Sequence, residues 1–368
     1  MKRGLAGCVC IGLIAAILSG CGKTTEVDKT IHTQVQDTSD TETGWNQIKV
    51  ESDENIEELE NGLSIVRYEG EDGFTDFLKQ GGASSDGEVA EYLTQALSEN
   101  GLKILFGGNA FGCSTLSVPG KEEGYFFGRN FDWDTCEALI VAAKPKQGYA
   151  SVSTVNKDFI QSGGIDLSKF PDHVQAAVAL YAPLDGMNEK GLAVSVNMIE
   201  DAAGIEQNTE KPDLTTTTAV RLLLNQAATV EEATELLAQY DLHASMGMMI
   251  HFAIADAEGN SVAVEYIDDE MHVIPTDIVT NFYLTEGKKY GIGTEQSKER
   301  YEILKNITES KETMSESEVK DALDRVSKDN FHDVYASTEW SIVMNQKTKE
   351  LTYFHRENYE TGYTVSVP

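Results

Sequence analysis

The chain has 368 residues, a formal net charge of -32, and 40% hydrophobic and 24% charged residues. Such an excess of carboxylates repels nucleic acid and a bare anionic membrane surface, so neither is expected as a partner. Five cysteines in a chain this long do not make a disulfide scaffold, because its core can form without one.

The first element, Met1 to Gly20, sets Lys2 and Arg3 ahead of the apolar run "LAGCVCIGLIAAILSG". That is the layout of a secretory signal, and it is short for a bilayer-spanning helix. It closes on Leu18-Ser19-Gly20-Cys21, which resembles a bacterial lipobox. The resemblance implies lipidation of Cys21 and an exported protein held on the membrane, facing away from the cytoplasm. Residues 21–61 are polar and acidic, densest in "ESDENIEELENG", and read as a tether. Residues 62–112 read as a helical propeptide: "DGFTDFLKQ" and "DGEVAEYLTQALSENG" have helical apolar spacing, and Asn100-Gly101 is a stop signal.

From residue 113 to 368 short β-rich runs dominate. "STLSV", "YFFGRNF", "EALIVAA", "YASVSTV" and "LAVSVNM" come first, and "MIHFAIADAEGNSVAVEYI" reads as a hairpin. "MHVIP", "DIVTNF", "EWSIVMN", "LTYFHR" and "YTVSV" follow. Helices are predicted over "TTTAVRLLLNQA", "TVEEATELLAQY", "EQSKERYEILKNI" and "SESEVKDALDRV", with Thr229/Glu232 and Ser315/Glu318 spaced as capping boxes. Grouped strands and paired helices predict an α+β domain of antiparallel sheets covered by helices, not a parallel nucleotide-binding sheet.

Once the signal is gone, Cys113 and Cys136 are the remaining free thiols. They could pair with each other, or Cys113 could be a small buried hydrophobe. A third reading is chemical. If the chain is cut between Gly112 and Cys113, the new α-amino group, with an ordinary pKa of about 7.7 to 8.0, can take the proton of the thiol on its own residue. Gly112 suits such a cut, since it tolerates strained backbone and lets the thiol reach the preceding carbonyl. A hairpin through the turn "PGKEEG" can bring Arg129 and Asp132 beside the sulfur, Arg129 to stabilise thiolate and Asp132 to orient the amine. A purely structural Arg-Asp pair is the competing reading. Asp185 and Asn188 in "LDGMNEKG" read as turn-formers.

Cys113, "FGRNFDW", "DGMNEKGLAVSVNM", "VTNF" and "SKERYEILK" resemble, in order, the motifs of the choloylglycine hydrolase family, or linear amide C-N hydrolases. That branch of the N-terminal-nucleophile hydrolases includes bile salt hydrolases and penicillin V acylases. The resemblance implies a four-layer αββα sandwich and hydrolysis of a linear C-N amide bond in a small N-acyl substrate, through a thioester on Cys113. It places Arg129 by the sulfur and Asp132 on the amine, Asn197 in the oxyanion hole, Asn281 on amine and substrate, and Arg300 as a second active-site arginine. The long segment before Cys113 departs from the bile salt enzymes. It looks more like the penicillin acyltransferase and acid ceramidase relatives, where a propeptide is cut autocatalytically. Acyl transfer is therefore the alternative chemistry, and a ligand-binding lipoprotein without catalysis the alternative class. No cofactor or metal is expected: His251, His272, His332 and His355 lack zinc-ligand spacing with Cys, and no Gly-x-Ser-x-Gly elbow occurs. A homo-oligomer is an open expectation.

Overall fold

The computed structural model describes residues 46–47, 55–97, 112–161, 167–328 and 337–368, so the signal segment, Cys21 and most of the tether lie outside the described residues. The chain enters through β1 (Asn46–Gln47), β2 (Glu57–Glu60) and β3 (Leu63–Gly70), then α1 (Phe74–Lys79) and α2 (Asp86–Leu97). Four strands follow: β4 (Gly112–Pro119), β5 (Tyr125–Trp133), β6 (Ala138–Pro145) and β7 (Ser151–Asn156). After α3 (Lys157–Gln161) and α4 (Asp172–Ala179) come β8 (Asp185–Asn188), β9 (Ala193–Met198) and β10 (Asp213–Thr215). The helix pair α5 (Thr216–Gln226) and α6 (Val230–Leu237) leads to β11 (Asp241–His243), β12 (Ile250–Ala255), β13 (Ser261–Ile267), β14 (Glu270–Pro275) and β15 (Ile278–Val279). The chain ends with α7 (Glu295–Glu309), α8 (Glu316–Asp324), β16 (Ser337–Asn345), β17 (Glu350–His355) and β18 (Tyr363–Ser366).

Two large sheets form the centre. One runs β1-β18-β17-β16-β5-β4-β15, the other β14-β13-β12-β9-β8-β7-β6-β3-β2. They meet through β4 and β9, with α5 and α6 on the outer face of the nine-stranded sheet and α7 and α8 on that of the seven-stranded sheet. This is the αββα order. Every residue of β7, β9 and β12 is buried, because both faces of the inner strands are covered. A second apolar cluster, including Leu116, Leu304, Val319, Leu323 and Phe354, fills the space between the seven-stranded sheet and its helices.

The hairpin of β12 and β13 forms as predicted, with Ala255 opposite Ser261. Ser315 and Glu318 make the reciprocal cap that starts α8. At α6 only half of the box forms: Thr229 accepts from the Glu232 amide, while the Glu232 carboxylate takes the amide of Ala228 at 2.7 Å.

The segment before Cys113 differs from its reading. Residues 57–60, read as tether, are β2, and Leu63–Gly70, read as helical, is β3. β3 lies parallel to β6 over eight pairs, from Leu63↔Ala138 to Gly70↔Pro145. The short apolar run with Leu63, Ile65 and Val66 buried is a strand signal that the acidic flank obscured. Farther on, Phe74 and Phe77 stack at 5.6 Å and pack on Tyr181. Asp72 forms a buried ion pair with Arg221 at 3.0 Å. Asp86 caps residues 245 and 246 through the Ser245 hydroxyl and the Met246 amide, both at 2.8 Å. The segment is thus built into the sandwich. Asp72→Ala strands the Arg221 charge in the interior, and a loss of about 3 to 5 kcal/mol in denaturant-measured stability is the expected outcome.

Candidate active site

β4 and β5 form one antiparallel hairpin that pairs Gly112 with Asp132, Cys113 with Phe131 and Thr115 with Arg129. Residues directly opposite share a face, and faces alternate along a strand. Cys113, Phe131 and Arg129 therefore look into the gap between the sheets, while Gly112, Asn130 and Asp132 look toward α7 and α8. Arg129 and Asp132, expected beside the sulfur, are three residues apart on β5, and this odd spacing sends their side chains to opposite faces of the strand, though both charges act on the thiol.

In the gap, the Cys113 thiol points at the Val196 carbonyl of β9, 3.6 Å away. Arg129 is fully buried; its Nε donates to Asp185 Oδ2 at 3.0 Å and one Nη to Asn197 Oδ1 at 3.3 Å. Asn197 Oδ1 also accepts the Ser195 hydroxyl at 2.8 Å, so the amide is fixed with its NH2 turned toward the Val279 carbonyl, 3.3 Å away. That long contact uses one of two N–H groups. Burial raises the Cys113 pKa, and the Arg129 charge pulls against it.

On the helix side, Arg300 of α7 reaches the Cys113 carbonyl at 2.9 Å, Asp132 Oδ2 at 3.0 Å and Asn281 Oδ1 at 2.6 Å. Asn281 Oδ1 also accepts the Cys113 backbone N–H at 2.7 Å, and its amide donates to Met198 O at 2.6 Å. In this uncut chain the Cys113 nitrogen is an amide, standing where the α-amine of a cut chain would be. It is bonded to Asn281 and not to Asp132. Asp132 takes Arg300, the Thr338 hydroxyl at 2.7 Å and, at 3.5 Å, Lys328 Nζ.

The fold thus brings Gly112, Cys113, Arg129, Asp132, Asn197, Asn281 and Arg300 into one buried cluster. Cys136 is elsewhere: both cysteines are free, so they do not pair. Cys136 has its thiol pKa pushed well up by burial and then by the Glu339 and Asp158 carboxylates.

Four members were missed. Asp185, read as a turn-former, is a buried strand residue that accepts from Arg129 and from the Trp340 indole at 3.0 Å. Asn188 does shape the turn, accepting the amides of Lys190 and Leu192. Ser195, Lys328 and Thr338 carried no signal, since they join the cluster only through strand register and the backbone bond from Thr338 N to Lys328 O.

Residues 119–354 match the family described as acyl-coenzyme A:6-aminopenicillanic acid acyl-transferase. The chain belongs to that family. The match begins just past Cys113 and takes in the Arg129, Asp132, Asn197, Asn281 and Arg300 positions. Among solved structures, a mutant conjugated bile acid hydrolase from Clostridium perfringens is 17% identical, with a TM-score of 0.52, covering 69% of this chain and 92% of that one. A second variant of that protein is 16% identical, with a TM-score of 0.50 over the same shares. Penicillin V acylase from Agrobacterium tumefaciens is 19% identical, with a TM-score of 0.49, covering 66% of this chain and 83% of that one. The curated proteins contain no match. The fold is that of the N-terminal-nucleophile hydrolases.

Position 112 is sterically closed. A Cβ there would lie 2.5 Å from Lys328 Nζ and 2.9 Å from Asp132 Oδ2. Lys328 can swing away, whereas Asp132 is held by Arg300 and Thr338. Gly112→Ala is expected to cost about 1 to 3 kcal/mol of stability, and Lys328→Ala in the same chain to recover only part of it, as read by thermal denaturation.

Proposed function

We propose that the protein is a cysteine amidohydrolase that matures by cutting its own Gly112–Cys113 bond and then cleaves a linear C-N amide in a small N-acyl substrate. One observation carries this reading: the site is organised around the main chain of Cys113. Asn281 holds its nitrogen and Arg300 its carbonyl. A cysteine serving only as a core hydrophobe has no use for two buried polar side chains on its own peptide groups, which are costly to bury.

In maturation, the thiol sulfur attacks the Gly112 carbonyl carbon, the C–N bond breaks, and the proton passes to the departing Cys113 nitrogen. Water then hydrolyses the thioester, leaving a carboxylate on Gly112 and a free amine on Cys113. In turnover that amine takes the thiol proton, and the thiolate attacks the substrate carbonyl beside Arg129. The second N–H of Asn197 faces the developing oxyanion. The α-ammonium returns its proton to the leaving amine, and water releases the acyl group from sulfur. Acyl transfer to an amine in place of water is the second reading, favoured by the description of the family. Export and a lipid on Cys21 belong to the same proposal. The β3–β6 ladder and the Asp72–Arg221 pair would keep the cut fragments together, so a lipid on the first fragment also anchors the second.

Mass spectrometry of active protein is expected to show a fragment beginning at Cys113. Cys113→Ala stays uncut and inactive, whereas Cys136→Ala is cut and active; an active preparation holding only uncut chain would overturn the proposal. Asn197→Ala is expected to lower turnover by about 10²- to 10³-fold with little change in substrate binding, because its donor acts on charge that exists only in the transition state.

A further inference from the structure

Gly112 is the last residue of the upstream fragment that the proposed self-cleavage produces, and its outer side holds more positive charge than negative. A Cβ at position 112 would lie 2.5 Å from Lys328 Nζ and 2.9 Å from Asp132 Oδ2. A Cβ is one bond, about 1.5 Å, from its Cα, so the ammonium stands no more than about 4 Å from the Gly112 Cα and one bond farther from the carbonyl carbon that the thiol attacks. Lys328 is held there through its backbone. Its N–H donates to the Thr338 hydroxyl at 2.8 Å, its carbonyl accepts the Thr338 N–H at 3.0 Å, and that hydroxyl donates to Asp132 Oδ1 at 2.7 Å. Its side chain is only 12% exposed. Asp132 meets two cations: Arg300 bonds its Oδ2 at 3.0 Å, while Lys328 Nζ is 3.5 Å from the same oxygen, too far for an ordinary N–H···O bond. Among the described residues Lys328 pairs with no other carboxylate, so two positive side chains share one negative group.

We infer that Lys328 is the counter-ion for the carboxylate that self-cleavage leaves on Gly112. The inference rests on the proposed maturation. There the thioester between Gly112 and the sulfur takes up one water: a C–O bond forms, the C–S bond breaks, the thiol is restored, and Gly112 keeps a carboxylate while one proton goes to solvent. The cut thus adds one negative charge at a place that is one short. A largely buried cation with only a share of a carboxylate is costly, and an anion formed within its reach relieves that cost. The same ammonium acts earlier on the oxyanion of the tetrahedral intermediate at the Gly112 carbonyl. Arg300 does not compete for the role, since it is committed to the Cys113 carbonyl, Asp132 and Asn281. Direction matters as well. Lys328 approaches Gly112 from the face of β4 that carries Asp132, whereas the thiol points into the gap at Val196. Pairing with Lys328 draws the new terminus to the face opposite the sulfur and leaves the thiol side to the substrate.

The test uses the full chain after self-cleavage. A water-soluble carbodiimide joins a carboxylate to an amine in contact with it, and peptide mass spectrometry is expected to find Gly112 linked to Lys328 Nζ, which rejoins the two fragments. A cut protein without that link, including one that gives only the Asp132–Lys328 link, overturns the inference. The second readout is the rate of self-cleavage. Lys328→Met, which keeps the side-chain bulk and drops the charge, is expected to slow it by about 10-fold or more, short of the roughly 10²- to 10³-fold loss for a hydrogen-bonded oxyanion donor, and Lys328→Arg is expected to restore most of the rate. A Lys328→Met chain cut at the wild-type rate, or a Lys328→Arg chain as slow as Lys328→Met, overturns the inference while the maturation reading stands. A wild-type chain that is never cut overturns the maturation reading itself, and the inference falls with it.

Discussion

An arginine with no exposed surface sits between two β-sheets, and the arrangement of the whole site follows from the need to satisfy it. An unpaired guanidinium in that gap would be strongly destabilising. Arg129 is matched by Asp185 from the facing sheet, by the Asn197 oxygen, and by the Phe131 ring, whose centroid is 5.5 Å from the guanidinium carbon. Asp185 is anchored in turn by the Trp340 indole, and Trp340 stacks on Phe131 with centroids 3.9 Å apart. The charge that acts on the thiol is therefore fixed by contacts from β5, β8, β9 and β16, and moving any of them exposes an unmatched ion.

The same hairpin serves two layers. On its inner face Cys113 shares the gap with Arg129 of the hairpin, which is met there by Asn197 of β9; on its outer face the peptide of Cys113 meets a second cation, Arg300 of α7, balanced by Asp132 of the hairpin. Splitting the groups in this way keeps Arg129 and Arg300 on opposite sides of the strand, each with its own carboxylate. It also explains why thiol and backbone nitrogen are handled by different asparagines, Asn197 from the nine-stranded sheet and Asn281 from the turn after β15.

The segment ahead of Cys113 occupies the sheet itself. β3 takes its place beside β6, and its hydrogen bonds and apolar faces are counted in the core as fully as those of any later strand. Removing it would open a sheet edge at β6 and uncover Tyr181 and Arg221. The region before the nucleophile is thus a structural part of the body.

Much was legible from residues alone, because it depends on local periodicity and short motifs. The twelve strand runs after residue 112 carry period-two or continuous apolar patterns, and the α8 cap follows from Ser315 and Glu318 three residues apart. Cys113, Arg129, Asp132, Asn197, Asn281 and Arg300 were named as a set, and they do converge. Their sides were not legible, although the parity of the Arg129–Asp132 spacing held the clue: it needed the knowledge that both lie on one unbroken strand. Asp185 looked like turn chemistry because Asp-Gly usually is, and only the pairing of β8 with β7 and β9 turned its carboxylate inward to Arg129. His251 and Glu265 are fourteen residues apart and meet only across the β12–β13 ladder, while Lys328 and Thr338 reach Asp132 only through the placement of β16. Local pattern fixes which residues form strands and helices. Register and layer stacking, set by contacts distant in the chain, decide which side chains face one another.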